Sequence, residues 1–204
     1  MVARVADNVW LQQSAALPTA GLTAYQLVQQ AKLQAGQKVL ISAPAGGVGH
    51  LVVQLLKQLP VEIIAICSAS KQAYVEKLGV TQFLDYTALE HYPQLDADIF
   101  LDLVGGEAGV KALSAVKSGG RVICVPTIHV PLLQQAGESR NLKVEKILAQ
   151  PSAADLTALS DLLAQQKLQI EIAKIYPLNQ IRSAHQTLEQ GRTLGKIILD
   201  IGQM

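Results

Sequence analysis

The segment from residue 39 to residue 50 reads Val39-Leu-Ile-Ser-Ala-Pro-Ala-Gly-Gly-Val-Gly-His50. Its first five residues, Val39 to Ala43, form an apolar run of strand length. After the glycine-rich turn, apolar residues recur at the i, i+3, i+4 and i+7 spacing of a helix that Pro60 ends. A strand, a glycine-rich turn and an amphipathic helix in this order predict the first part of a βαβ unit.

The same alternation of short apolar runs and helical patterns continues along the chain. Ser70 is placed to cap a second helix that Gly79 closes, and Ser152 with Asp155 resembles a capping box. Five further strands are predicted, at Glu62–Ser68, Gln82–Tyr86, Ala97–Val104, Arg121–Val125 and Leu142–Leu148. The pattern predicts an α/β fold of Rossmann type, a doubly wound six-stranded parallel sheet.

The two ends of the chain do not fit this scheme. Thr19–Ala35 has the pattern of a helix before the first strand, and two strands, Ile170–Pro177 and Lys196–Ile201, flank a final helix. A two-stranded ribbon is only marginally stable by itself. We therefore expect these strands to belong to a second, incomplete domain.

Composition excludes several classes of protein. Half of the 204 residues are hydrophobic and the net charge is +1, so no nucleic-acid or anionic-membrane partner is expected. No apolar run is long enough to cross a bilayer, and residues 1–10 lack a signal-peptide pattern, so a cytoplasmic location is predicted. Cys67 and Cys124 lie in separate apolar runs, which predicts free thiols, no disulfide and no metal.

The glycine-rich turn is the predicted phosphate site. Gly46 would let the backbone approach a pyrophosphate, and Gly49 would let the helix pack closely on the strand. Pro44 replaces the first glycine of the usual motif, so a turn without a ligand stays possible, as does a methyltransferase-type Rossmann fold. The two strands after residue 170 argue against the methyltransferase.

The end of the second strand predicts the choice of cofactor. An NAD site usually presents a carboxylate there, whereas this chain has Cys67-Ser68-Ala69-Ser70-Lys71, with hydroxyls and one ammonium. These groups suit the 2′-phosphate of NADP(H). The alternative is that Ser70 is only a helix cap and Lys71 a solvated lysine.

Several motifs in order resemble the medium-chain dehydrogenase/reductase superfamily, and within it the zinc-independent quinone oxidoreductases. They are residues 15–25 (Ala-Ala-Leu-Pro-Thr-Ala-Gly-Leu-Thr-Ala-Tyr), the turn 45–50, Leu103-Val104-Gly105-Gly106, Gly119-Gly120-Arg121-Val122 and Gly195-Lys196-Ile197-Ile198-Leu199. The resemblance implies a GroES-like catalytic domain of which the chain carries only a remnant, and hence an N-terminally truncated protein. The expected divisions are 1–18 (catalytic remnant), 19–168 (Rossmann domain) and 169–204 (return to the catalytic domain).

The resemblance also implies cofactor contacts. The pyrophosphate would meet Gly46, Gly47 and Val48, and the 2′-phosphate would meet Ser68 and Lys71. The remaining predicted contacts are Tyr86 along the adenosine, Thr23, Val104, Val125 and Thr127 on the nicotinamide side, and Lys196 at the pyrophosphate. Tyr86 and Lys196 could equally be exposed side chains without a ligand.

The implied activity is hydride transfer from NADPH to a quinone or an α,β-unsaturated carbonyl compound, without a metal. No catalytic residue is predicted, because His50, His91, His129 and His185 lack partners that would make an acid or base. A module that binds or senses NADP(H) without turnover, working through a partner, is the alternative. The shortened chain itself could be inactive.

The sixth strand would lie at an open edge of the sheet, where two copies could pair. The resemblance points to the same homodimer. The alternative is a monomer, in which the charged side chains of the edge strand prevent a second copy from pairing with it: Lys143, Glu145 and Lys146.

Overall fold

The computed structural model describes residues 2–202; Met1, Gln203 and Met204, at the outer ends of the first and last expected divisions, lie outside the described residues. The strands are β1 (Lys38–Ser42), β2 (Glu62–Cys67), β3 (Gln82–Asp85), β4 (Ala97–Asp102), β5 (Val116–Cys124), β6 (Lys143–Lys146), β7 (Ile172–Pro177) and β8 (Lys196–Asp200). The helices are α1 (Leu11–Ser14), α2 (Leu22–Ala31), α3 (Gly49–Leu56), α4 (Gln72–Leu78), α5 (Gly106–Ala112), α6 (Val130–Gly137), α7 (Ala153–Ala164) and α8 (Ile181–Glu189).

The first six strands form one parallel sheet in the order β3-β2-β1-β4-β5-β6, which confirms the predicted Rossmann architecture. β1 pairs with both β2 and β4, with Val39 opposite Ile99 and Ile41 opposite Leu101. The chain winds outward from β1 in one direction and from β4 in the other. The carboxyl ends of these two strands therefore flank the crevice where such sheets bind ligands.

The sheet separates two apolar cores, because successive strand side chains point to opposite faces. Val39 and Ile41 face a core shared with α2, α3 and α7, whereas Leu40 faces a core shared with α5 and α6. All three strand residues are fully buried. Each such side chain contributes roughly 1.5–3 kcal/mol of burial free energy.

The two C-terminal strands pair with each other, in parallel, through the crossover helix α8. The Tyr176 hydroxyl on β7 lies 2.7 Å from Thr187 Oγ1 on α8, which ties the helix to its strand. Ile175 and Leu199 remain exposed on this small sheet. It is therefore a two-stranded unit with apolar side chains in contact with solvent.

The N-terminal residues pack on the end of the Rossmann unit. The backbone N–H of Ala6 donates to Ser160 Oγ at 3.0 Å, and Val9 joins the first apolar core. Ile170 and Ile198 join that same core. The division into residues 1–18, 19–168 and 169–204 stays a prediction, and one core crosses both of its boundaries.

The predicted helix caps are confirmed at two of three positions. Ser152 Oγ accepts from the backbone N–H of Asp155 at 3.1 Å, as the capping-box pattern predicts. The Ser70 cap is wrong: a 3-10 turn over Ala69–Lys71 precedes α4, and Ser70 Oγ lies 3.0 Å from Ser68 Oγ instead. Gly79 does end α4, with a φ of +122° that a side chain would strain.

Two helices differ from the sequence pattern. The helix expected over Thr19–Ala35 begins as a π-helical turn at Leu17–Gly21 and ends at Ala31, because Lys32 takes the left-handed conformation. α6 was not predicted at all. Pro131 lies in its first turn, where the fixed φ of proline suits a helix. In a short segment, however, proline is also typical of a loop, so the sequence did not indicate a helix here.

Candidate nucleotide-binding site

The glycine turn is tightly closed against β1. The N–H of Gly46 donates to Ala43 O at 3.1 Å, and the N–H of His50 donates to Gly46 O at 3.1 Å. A Cβ on Gly49 would lie 2.1 Å from Ala43 O, so only glycine fits there. A Cβ on Gly46 would meet nothing nearer than 3.4 Å. Gly49 thus serves packing, and Gly46 leaves an open approach to the backbone.

A cavity of about 630 Å³ opens beside this turn. It brings together five of the eleven predicted contact residues, which come from four loops at the carboxyl edge of the sheet: Gly46, Ser68, Lys71, Tyr86 and Val104. The glycine turn and the residues predicted to bind the 2′-phosphate thus line the same cavity.

A second cavity, of about 380 Å³, lies on the other side of the turn. It is lined by five predicted contacts: Gly46, Gly47, Val48, Val125 and Lys196. Ala43 and Gly46 border both cavities. The turn therefore lies between two adjoining cavities.

Two predicted contacts lie outside both cavities. Thr23, on α2, donates its hydroxyl to Thr19 O at 2.8 Å, a bond within its own helix. Thr127 is exposed in a 3-10 turn that follows β5. Their roles on the nicotinamide side remain predictions.

One acid that the local sequence did not reveal lies beside the end of β2, on the neighbouring strand β3. Asp85, at the end of β3, is the register partner of Cys67. Its carboxylate accepts from the backbone N–H of Thr87 at 2.9 Å and from the Thr87 hydroxyl at 2.7 Å, and these bonds hold the pKa of Asp85 below its usual value. Asp85 is absent from the lining of the first cavity. The backbone of Ala69, within the Ser68–Lys71 segment, also lowers the pKa of Asp85, so its charge lies at the edge of the site.

A buried carboxylate organises the loop after β4. Asp102 is fully buried, and its Oδ1 accepts from the backbone N–H groups of Val104 and Gly105, each at 3.0 Å. It also accepts from the Ser42 hydroxyl at 2.9 Å. Sequence reasoning missed this residue, although a single acid ending the apolar run Ile99–Leu101 was the signal, because buried charges need partners.

The C-terminal chain closes the site from the side of the small sheet. The N–H of Gly195 donates to Ala45 O at 2.9 Å. A Cβ on Gly47 would lie 2.9 Å from Lys196 Cδ, so the lysine stem lies directly against the turn. Its ammonium is therefore carried to the edge of the predicted pyrophosphate site.

His50 is buried at the start of α3. Its Nδ1 lies 2.8 Å from Gly46 O, whereas its Nε2 has no hydrogen-bond partner among the described residues. Burial, opposed by the bond to Gly46 and reinforced by Lys196, lowers the pKa of His50 below 6.5. The neutral imidazole, with Nδ1 as donor, supports the turn.

The two thiols are buried and free. Burial raises the pKa of Cys67 to about 11 and that of Cys124 to about 12, so both are protonated at neutral pH. Within residues 2–202, no three His, Cys, Asp or Glu side chains come together in an arrangement that could hold a metal ion. None of the helices in the same range is long and apolar enough to span a membrane.

Further residues line the first cavity without having been predicted. Tyr92 is buried there with the Lys111 ammonium 5.1 Å from its ring centre, and Thr193 enters from the C-terminal chain. Tyr92 and Lys111 come from loop and helix segments with no motif of their own. No local pattern could have identified them.

Residues 78–199 match the family model described as zinc-binding dehydrogenase, and the chain belongs to that family, within the medium-chain dehydrogenase/reductase superfamily. Membership excludes the methyltransferase alternative. The family binds a nicotinamide cofactor. The open approach at Gly46 and the lysine that lies against Gly47 fit the pyrophosphate of such a cofactor.

Known relatives agree with this assignment. A quinone oxidoreductase from Coxiella burnetii superposes with a TM-score of 0.90 at 34% identity, over 98% of this chain and 63% of that one. A quinone oxidoreductase from Pseudomonas syringae pv. Tomato DC3000 gives a TM-score of 0.79 at 26% identity, over 97% of this chain and 67% of that one. The 2-methylene-furan-3-one reductase of Solanum lycopersicum is 29% identical over 98% of this chain and 49% of its own length. The chain thus spans about half to two thirds of these relatives.

Proposed function

We propose that this chain is the nucleotide-binding part of an oxidoreductase that uses NADP(H) and reduces a quinone or an α,β-unsaturated carbonyl compound. The observation that carries the proposal is the cavity that joins the glycine turn to Ser68 and Lys71. The glycine turn could bind the pyrophosphate of a dinucleotide. The Ser68 hydroxyl and the Lys71 ammonium, in the same cavity, suit the third phosphate that NADP(H) carries.

The turn would bind the pyrophosphate through the backbone. The N–H groups of Gly47 and Val48 lie just before α3, where the helix dipole favours an anion, and Gly46, whose own N–H is bonded to Ala43 O, leaves room for the ligand. The stem of Lys196 crosses the turn at Gly47. Its ammonium would neutralise part of the pyrophosphate charge.

Ser68 and Lys71 would bind the 2′-phosphate. Ser68 is half-buried at the end of β2 and Lys71 is half-buried in the turn that follows, and both line the first cavity. The ionised Asp85 disfavours a phosphate here, but it is bonded to Thr87 and does not line the cavity. Lys71, which does line it, is therefore expected to dominate the local charge.

The nicotinamide, when bound, supplies the hydride. Two residues would orient the nicotinamide ring: Val104, in the turn that Asp102 fixes, and Val125, which follows β5. Thr23 and Thr127 would flank the ring. No residue within 2–202 is assigned as an acid or base. The acceptor class rests on the quinone oxidoreductases and the 2-methylene-furan-3-one reductase that the chain resembles.

The test is a calorimetric titration of the chain with NADPH and with NADH, followed by an assay of NADPH oxidation with a panel of quinones and enones. We expect tighter binding of NADPH than NADH, and turnover when the catalytic domain is present. Binding without turnover, even with that domain present, would instead favour the alternative of a non-catalytic NADP(H)-binding module. Equal binding of both nucleotides would refute the cofactor preference.

A further inference from the structure

One short segment of the C-terminal chain, Gly191 to Lys196, crosses both cavities. Gly191 and Thr193 line the first cavity, and Gly195 and Lys196 line the second. The segment is fixed at two points, because Gly195 N–H donates to Ala45 O at 2.9 Å and Lys196 N–H donates to Glu171 O at 2.8 Å. The segment thus forms a wall along both cavities and is held in place at its C-terminal end.

The path of this wall depends on Gly195. Its φ is +64°, and an added Cβ would lie 2.1 Å from Glu171 O, so no other residue fits. The bond from Gly195 to Ala45 holds the segment against the phosphate turn. Thr193 lies two residues away, so its Cα is at most about 7 Å from that of Gly195. Its side chain is therefore within reach of a group bound over the turn.

Thr193 carries an unused hydrogen-bonding group. Its Oγ1 is fully buried and has no hydrogen-bond partner among residues 2–202, although the residue lines the first cavity. A buried hydroxyl without a partner is unfavourable, and most buried polar groups have one. An orphaned hydroxyl beside a phosphate turn indicates that a bound anion supplies the partner.

We propose that Thr193 is a further binding residue of this site, whose hydroxyl donates to an oxygen of the nucleotide's pyrophosphate. The proposal rests on the proposed function, since it requires a dinucleotide in the cavity. It adds a side-chain donor, from the C-terminal chain, to a group otherwise held by backbone N–H groups and Lys196. The C-terminal chain would thus bind the cofactor as well as enclose it.

The experiment compares Thr193→Val, Thr193→Ser and the control Thr157→Val, whose hydroxyl is exposed on α7 and bonded to Ala153 O. The probes are ADP-ribose, which has the pyrophosphate, and adenosine 2′-monophosphate, which lacks it. We expect Thr193→Val to weaken ADP-ribose binding about tenfold, since hydrogen bonds to charged groups are the stronger class. Adenosine 2′-monophosphate binding should not change, and Thr193→Ser should restore ADP-ribose binding.

Thermal unfolding of the free protein separates binding from folding. Valine is nearly isosteric with threonine and removes an unpaired polar atom, so the Tm of free Thr193→Val should equal or exceed that of the unsubstituted chain. Unchanged ADP-ribose affinity in Thr193→Val, or loss confined to adenosine 2′-monophosphate, would overturn the proposal while leaving the proposed function intact. Failure of the unsubstituted chain to bind either probe would refute the proposed function itself.

Discussion

The Ser42 hydroxyl donates to Asp102 Oδ1 at 2.9 Å, and this bond joins the carboxyl ends of β1 and β4. Ser42 Oγ in turn accepts from the backbone N–H of Leu103 at 2.8 Å. The two side chains thereby fix the loop after β4 beside the glycine turn. They hold together the two halves of the sheet at the point where the nucleotide is proposed to bind.

Asp102→Ala should destabilise the protein strongly. The change leaves the Ser42 hydroxyl and the N–H groups of Val104 and Gly105 without their acceptor, and we expect a loss of about 2–4 kcal/mol in the free energy of unfolding. Urea denaturation measures it. Asp7→Ala is the control, because Asp7 is exposed and its side chain bonds, among residues 2–202, only to the exposed Arg4, so the loss of unfolding free energy should be within about 0.5 kcal/mol. Equal effects of the two changes would contradict the structural role of Asp102.

Two glycines of the turn should respond differently to alanine. In Gly49→Ala the new methyl group would lie 2.1 Å from Ala43 O, so we expect a loss of about 2–3 kcal/mol in unfolding free energy. In Gly46→Ala the nearest atom is 3.4 Å away. That variant should remain folded, with its melting temperature little changed, but bind NADPH more weakly because the methyl group points into the ligand's approach. A Gly49→Ala protein as stable as Gly46→Ala would refute the packing role.

The sequence predicts the parallel sheet well, because the patterns that indicate each strand and helix lie within a few neighbouring residues. The apolar runs, the glycine turn and the caps at Ser152 and Gly79 each depend on neighbouring residues, and the six-stranded parallel sheet follows from their alternation. Asp85 and Asp102 escaped prediction because their importance depends on contacts between strands 18 to 60 residues apart. Thr193 escaped for the same reason, since only the folded chain brings residue 193 to the glycine turn.

Lys71→Ala should selectively weaken NADPH binding. If Lys71 contacts the 2′-phosphate, its loss should reduce NADPH affinity about tenfold or more and leave NADH affinity nearly unchanged. Calorimetric titration at a fixed ionic strength is the measurement. Lys77→Ala provides a matched control, because Lys77 is on the same helical segment but exposed and outside the first cavity. A parallel loss of NADH affinity would show that Lys71 does not discriminate the 2′-phosphate.

The buried His50 should make stability depend on pH. Its folded pKa lies below the unfolded value of 6.5, chiefly because of burial, so the unfolded chain binds more protons between these two values. The contribution of His50 is therefore complete above pH 6.5 and is lost as pH falls below it toward the folded pKa. Urea denaturation from pH 5 to pH 8 should give a shallower slope below pH 6.5 for His50→Asn than for the unsubstituted protein. Identical slopes would mean that His50 titrates normally in the folded state.

The edge strand β6 should mediate a homodimer. β6 is the last strand of the sheet, and Leu148, just beyond it, is 71% exposed. We propose pairing of two copies along this edge, as measured by size-exclusion chromatography with light scattering. Leu148→Glu should shift the chain toward monomer, whereas Leu11→Glu, at a leucine 77% exposed near the N-terminus, should not. A monomer at all concentrations would refute the dimer and favour an edge kept apart by Lys143 and Lys146.

The most direct test of the NADP(H) site is a crystal structure of the chain with NADPH bound. We expect the 2′-phosphate within hydrogen-bonding distance, about 3 Å, of Ser68 Oγ and Lys71 Nζ. We also expect the pyrophosphate over the backbone of Gly46, Gly47 and Val48. NADPH bound away from the glycine turn, or with its 2′-phosphate directed away from both Ser68 and Lys71, would refute the proposed site.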